Sequence, residues 1–290
     1  MRSGSEAPVE EPQTFQGPGR SGGSGARVDL SELAHRFGEL EVIAPVDLTV
    51  AAGEVVGIVG PSGCGKSTLL ELIAGLAEPT AGSAQVAGKA SAADRLARSA
   101  YMPQRDLLLP WLAAIDNAGL ALRNRGASRS SARAEAAPLF ERFGLAGFEH
   151  TRPSELSGGM RQRVAFLRTL LAGKPLLLLD EPFASLDAIT RAEMQEWLAG
   201  ALAEQSRTIV LVSHDVEEVL YLADRVLVLS ARPAKIVTAL VSPAPRATPR
   251  LEAITSPAFT KARERALAAL FAGKSAGGLS AAEPAGGRAE

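Results

Sequence analysis

A single cysteine, Cys64, stands among 290 residues. No disulfide framework can form within such a chain, and this thiol usage points to a reducing compartment. An excess of one charge is missing as well: 31 basic residues face 32 acidic ones. Nucleic-acid binders usually carry a basic excess, so nucleic acid is not an expected partner. Long apolar runs are also absent. The longest, such as Leu176–Leu179, fall far short of the roughly 20 residues that cross a bilayer. The N-terminus shows no basic-then-apolar layout of a secretory signal. Any service to a membrane is therefore expected from outside it, through docking to another chain.

What is present is a hydrophobic fraction of 46%. A chain of this size buries roughly 75% of its unfolded surface, enough for one large domain, although length alone also allows two small ones. Residues 1–26 and the stretch from about 274 to 290 are rich in Gly, Ala, Ser and Pro. They offer too little apolar surface to offset ordering entropy and are expected to be disordered tails around a domain at 27–273. No internal repeat is found in it.

Within that domain, strand-like and helix-like segments alternate. Val55–Val59, Leu176–Leu179, Thr208–Val212 and Arg225–Leu229 are continuous apolar runs, the pattern of strands buried on both faces. Helical patterns lie at Lys66 to Ala74 and at roughly 112–124, 130–143, 159–172, 189–204 and 215–223. The alternation predicts an α/β domain with a mainly parallel sheet. Val28–Leu33, Val46–Val50 and Ser83–Val86 predict a smaller antiparallel layer, and Pro257–Phe271 an outer helix.

The sharpest local signal is Gly60-Pro61-Ser62-Gly63-Cys64-Gly65-Lys66-Ser67-Thr68. It fits the phosphate-loop pattern, with a strand before it and a helix after it. A triphosphate concentrates negative charge and needs many donors at close range. Glycines let backbone N–H groups turn inward with no Cβ in the way. The helix that follows offers its orphan N–H groups and the positive end of its dipole. Lys66 is expected on the β- and γ-phosphates, and Ser67 on Mg²⁺. Cys64 reads as a small loop residue.

Downstream, the apolar run Leu176–Leu179 ends in Asp180-Glu181. Two carboxylates at a buried strand end are costly unless positive charge meets them. Asp180 is the expected partner of Mg²⁺ carried by ATP, and Glu181 the group that polarises the attacking water. A plain solvated turn is the competing reading of Asp-Glu-Pro. Ser157-Gly158-Gly159 is a second Gly-rich helix start, hence a second anion site far away in the sequence.

Together these motifs, in this order, resemble the ATP-binding-cassette ATPases over roughly residues 28–240. The resemblance implies a phosphate-loop NTPase core with an inserted helical subdomain at about 105–172. It assigns Phe37 to the adenine and Gln104, in the glutamine loop, to the metal or its water. It assigns His214 of Ser213-His214-Asp215 to the γ-phosphate or the attacking water, and Ser157, Gly158, Gly159 and Gln162 to an ATP held by a partner subunit. Alone, His214 would read as structural and Phe37 as core. The resemblance further implies a head-to-tail pair of subunits with ATP between them, on the cytoplasmic face of a membrane, serving permease chains and a solute-binding protein.

Leu107-Leu108-Leu109-Pro110-Trp111 reads either as core or as an apolar groove for a helix of the membrane subunit. The stretch is similar to importers of the nitrate, sulfonate and taurine group, as are Glu181-Pro182-Phe183 and Ser230-Ala231-Arg232-Pro233. That group includes importers of pyrimidine-type vitamin precursors. The alternatives are an exporter ATPase and a non-transport mechanochemical ATPase. The latter usually carries coiled-coil insertions or a second cassette, and neither occurs in this chain.

Overall fold

A computed structural model describes residues 25–184, 186–204, 207–244 and 248–277. Nineteen strands and helices follow in chain order: β1 Val28–Phe37, β2 Leu40–Val50, β3 Val55–Val59, α1 Lys66–Ala74, β4 Ala81–Val86, α2 Ala92–Arg98, β5 Ser99–Met102, α3 Ala114–Ala118, α4 Leu120–Asn124, α5 Arg129–Arg142, α6 Gly158–Leu171, β6 Leu176–Asp180, α7 Ala188–Glu204, β7 Thr208–Ser213, α8 Val216–Leu222, β8 Arg225–Leu229, β9 Ile236–Val241, α9 Arg250–Thr255 and α10 Pro257–Gly277. Six strands form the central sheet in the order β5-β6-β7-β3-β8-β9, parallel except for β9. Three form an antiparallel layer in the order β2-β1-β4.

The continuous apolar runs are explained by two cores. Side chains alternate across a strand, so each central strand feeds both faces. Val55, Leu177, Leu179, Ile209, Leu211 and Val226 face the helical side, packed with α3 to α10. Val56, Ile58, Leu176, Leu178, Val210 and Leu227 face the other side, packed with α1 and the antiparallel layer. A strand buried on both faces has no polar face to alternate with.

One ion pair sits inside this frame. Arg225 of β8 donates from Nε to Glu54 Oε1 at 2.8 Å and from Nη2 to the Thr49 carbonyl at 2.6 Å. Both side chains are almost wholly buried. Glu54 Oε2 also accepts the Ala51 N–H at 2.7 Å. The pair ties the end of β2 to the starts of β3 and β8.

The structure extends several of the sequence readings. β1 continues to Phe37 and β2 begins at Leu40, because Gly38 at φ +58° closes a hairpin between them. Register shifts between Leu30 and His35 break the alternation that marks a strand in sequence. Ala26 is buried, and α10 runs to Gly277. Residues 1–24 and 278–290, expected to be tails, lie outside the described residues.

The helical subdomain is fastened to the loop before it. Buried Asn117 accepts the Leu109 N–H at 2.8 Å and donates to the Leu109 and Leu112 carbonyls. From α6, Arg161 pairs with Asp106 at 3.0 Å, while Arg168 donates to the Asp106 and Leu107 carbonyls at 2.7 and 2.8 Å. The loop is thus neither pure core nor pure groove. Leu108 is buried, but Leu107 and Trp111 are 60% and 67% exposed.

Replacing Arg225 by Leu strands Glu54 in the interior without its charge partner. The expected loss is about 3–5 kcal/mol of unfolding free energy, read from urea unfolding; a loss below about 1 kcal/mol would show the pair to be dispensable.

Candidate functional site

β3 ends at Val59, and the chain turns through residues 60–65 before α1 starts at Lys66. Gly63 and Gly65 take φ of +72° and +122°, a region costly for residues with a side chain. A Cβ on Gly65 would also come within 2.9 Å of Val42 Cγ1. The Lys66 ammonium lies over this turn and donates to the Gly60 and Pro61 carbonyls at 2.9 and 3.1 Å. Cys64 is buried, and that burial pushes its thiol up, away from the reactive thiolate.

Ser62, Gly63, Gly65, Lys66, Ser67 and Thr68 line a cavity of about 420 Å³. Phe37, Leu40 and Val42 of the β1–β2 hairpin line it as well, as do Gln104, Glu181 and Arg232. Phe37 is 56% exposed and set edge-on to His35 at 4.6 Å between ring centroids. It is therefore not a core aromatic.

The parallel strands bring the acidic residues to the same end of the sheet. Asp180 closes β6 and is buried, with Oδ2 accepting the Tyr101 hydroxyl at 3.3 Å. Its Oδ1 has no hydrogen-bond partner among the described residues. Burial raises the Asp180 pKa, opposed by the Ser67 and Tyr101 hydroxyls and by the Lys66 charge. A buried carboxylate with one oxygen unpartnered, beside the Ser67 and Tyr101 hydroxyls, suits a hard cation such as Mg²⁺. No group of three or more His, Cys, Asp or Glu poised for a metal occurs among the described residues.

Glu181 follows at φ +52°, a conformation rare outside glycine and concentrated at functional sites. Its N–H donates to the Val212 carbonyl at 2.9 Å. Val212 belongs to β7, so the neighbouring strand end carries His214 across, and His214 Nδ1 hydrogen-bonds Glu181 Oε2. His214 remains exposed.

Ser157 caps α6, its Oγ accepting the Met160 N–H at 3.2 Å, and Ser157 and Gly158 are exposed. Gly158 and Gln162 line a different cavity of about 400 Å³, which Gln104 also borders. Gln162 is buried there, and its Nε2 finds no partner among the described residues. Within one chain, the residues at this helix start and those of the phosphate loop therefore do not line a common cavity.

Three residues beside the site were not singled out as functional in the sequence. Tyr101 lies three positions before Gln104 and bonds Asp180. Arg232 stood only in a run quoted for its similarity. Glu218 lies one helical turn beyond His214, almost wholly buried, with Oε2 accepting the Gln195 amide at 3.2 Å. Burial pushes its pKa up to about 7. An acid beside Glu217 at the start of a short helix carries no sequence mark of burial, so only its position after His214 could have drawn notice.

A glycine turn at the end of β3, a helix-borne lysine and carboxylates at the end of β6, two places along the same parallel sheet, define a phosphate-loop nucleotide hydrolase. Residues 43–184 match the family described as ABC transporter. The chain is 50% identical over 203 residues to an aliphatic sulfonates import ATP-binding protein of Rhodococcus jostii, covering 70% of this chain and 79% of that one. It is 46% identical over 194 residues to a formylaminopyrimidine import ATP-binding protein of Halalkalibacterium halodurans, covering 66% and 74%. Among solved structures, a dimeric ATP-binding cassette in a post-hydrolysis state with ADP and Pi superposes with TM-score 0.68 at 28% identity, over 74% of this chain and 98% of that one. The chain belongs to the ABC transporter family. It is an ATP-binding, ATP-hydrolysing member of it.

Glu218 supplies a pH test. Its folded pKa lies above the unfolded value of 4.5. The protonated carboxyl is therefore the favoured buried form, and the stability it brings is lost as pH rises through about 7. Glu218→Gln should gain on wild type by about 2–3 kcal/mol more at pH 8 than at pH 5 in urea unfolding. Equal differences at the two pH values would contradict a buried, titrating carboxyl.

Proposed function

We propose that the chain energises import of a small solute by working as a head-to-tail pair on separate permease chains. The observation that carries this reading is the distance in the fold between its two anion-binding helix starts. A phosphate loop lining one cavity and a Ser157 cap outside it suit a triphosphate gripped between two copies. Affinity between the copies then depends on the γ-phosphate, and hydrolysis becomes a rigid-body switch.

In this scheme the backbone N–H groups of residues 60–65 and the Lys66 ammonium hold the β- and γ-phosphates. Phe37 stacks on the adenine. Ser67, Asp180 and Gln104 hold Mg²⁺, which supplies charge neutralisation to the phosphate oxygens. Glu181 accepts a proton from the attacking water, and His214 orients that carboxylate through its Nδ1 bond and reaches the γ-phosphate. Ser157, Gly158 and Gly159 of the partner subunit cover the γ-phosphate, and Gln162 supports that helix start.

Leu107 and Trp111 offer apolar surface to a short helix of the permease. Arg161 and Arg168 attach that surface to α6, so movement of the Ser157 cap reaches the docking loop directly. No helix among the described residues is long and apolar enough to cross a membrane, in keeping with a peripheral subunit on the cytoplasmic face. The names of the relatives support a sulfonate or pyrimidine precursor as cargo, delivered by a solute-binding protein; taurine and nitrate are the remaining candidates.

Glu181→Gln should slow hydrolysis by at least about 100-fold and yield an ATP-dependent dimer on gel filtration. A monomer hydrolysing at the wild-type rate would remove Glu181 as the base. For transport, the chain reconstituted with a permease in vesicles should drive ATP-dependent solute uptake, abolished by Trp111→Asp with soluble ATPase activity retained. Uptake unaffected by that change would rule out the docking surface.

A further inference from the structure

Arg232 lines the phosphate-loop cavity but belongs to none of the motifs that define it. It stands in the turn joining β8 to β9. That turn is closed by the Ser230 N–H on the Lys235 carbonyl at 3.0 Å and by the Lys235 N–H on Ser230 Oγ at 3.0 Å. It is also stitched to the hairpin wall of the cavity. The Ala234 N–H donates to the Val42 carbonyl at 2.9 Å, and the Ala44 N–H to the Ala234 carbonyl at 3.1 Å. The backbone that carries Arg232 is thus held against the same strand that lines the cavity.

The side chain is directed as well. Nε donates to the Gly63 carbonyl at 3.0 Å, and Nη2 reaches the same oxygen. A guanidinium has five N–H donors, and one carbonyl cannot satisfy them all. No carboxylate among the described residues forms an ion pair with it. A cation fixed in a phosphate-binding cavity without an acid partner is placed to receive an anion.

Strand order says which part of the nucleotide it meets. In the sequence β6-β7-β3-β8, the phosphate loop leaves β3. Asp180 and Glu181 at the end of β6 and His214 after β7 lie to one side of it. Arg232, after β8, lies to the other, with Phe37 and Val42. In the proposed scheme Asp180 would hold the metal and Glu181 would face the γ-phosphate, both on the β6 side, which leaves the nucleoside end for Arg232.

We propose that Arg232 contacts bound nucleotide at its nucleoside end, beside the α-phosphate, and so sets affinity for ATP and ADP alike. The proposal rests on this cavity being the ATP site. It predicts that Arg232→Gln, which keeps an amide donor for Gly63 but loses the charge, raises the KM for ATP and the Kd for ADP by the same factor, about tenfold. The expected kcat stays within about twofold of wild type, and Arg232→Lys recovers part of the affinity. Calorimetric titration of ADP, steady-state ATPase assays and thermal melting without nucleotide read these effects. An ADP affinity unchanged in Arg232→Gln overturns the proposal. So does a loss confined to ATP, which would move the contact to the γ-phosphate. A fall in kcat at constant KM, or a lowered melting point without nucleotide, would make Arg232 a structural pin of Gly63 and equally overturn it. Lys66→Ala separates the underlying reading: if that variant binds ADP like wild type, the cavity is not the nucleotide site, whatever Arg232 does.

Discussion

Everything in this chain follows from the need to surround concentrated phosphate charge with fixed donors. Water solvates a triphosphate well, so a protein competes only by presenting donors already held in place. The turn at 60–65 does so through backbone geometry that glycine alone adopts easily, at φ +72° and +122°. The helix that begins at Lys66 adds a positive dipole end and an ammonium. Other parts of the site are arranged around that turn.

The parallel sheet is the means of arrangement. Adjacent parallel strands end on one side, so residues far apart in sequence meet there without long loops. β3 delivers the phosphate loop, β6 delivers Asp180 and Glu181, β7 delivers His214 and β8 delivers Arg232. The left-handed backbone at Glu181 and its bond to the Val212 carbonyl fix the carboxylate at the strand edge. Burial raises the pKa of Asp180, a cost that a cation bound there would offset.

The helical subdomain connects two surfaces. α6 begins at the Ser157 cap and, through Arg161 and Arg168, clamps the loop carrying Leu107 and Trp111. One helix thus joins the Ser157 cap to an exposed apolar patch. A displacement at one end has little slack in which to dissipate, since the loop is also pinned internally by Asn117.

Local chemistry was open to reading from the sequence alone. The glycine turn, the apolar strands β3 and β8, the helix from Lys66 to Ala74 and the Asp180-Glu181 strand end all stand where the residues imply, because each depends on neighbours within a few positions. What depended on distant partners was not legible. Bulges hid the extent of β1 and β2, and four-residue β5 carries too little pattern to stand out. The burial of Glu218, the hydroxyl of Tyr101 on Asp180 and the reach of Arg232 to Gly63 arise from contacts across 23, 79 and 169 positions. The identity of a loop or strand is set by local backbone preference and side-chain period. Which side chains face one another across a cavity is decided only when the sheet order brings those elements side by side.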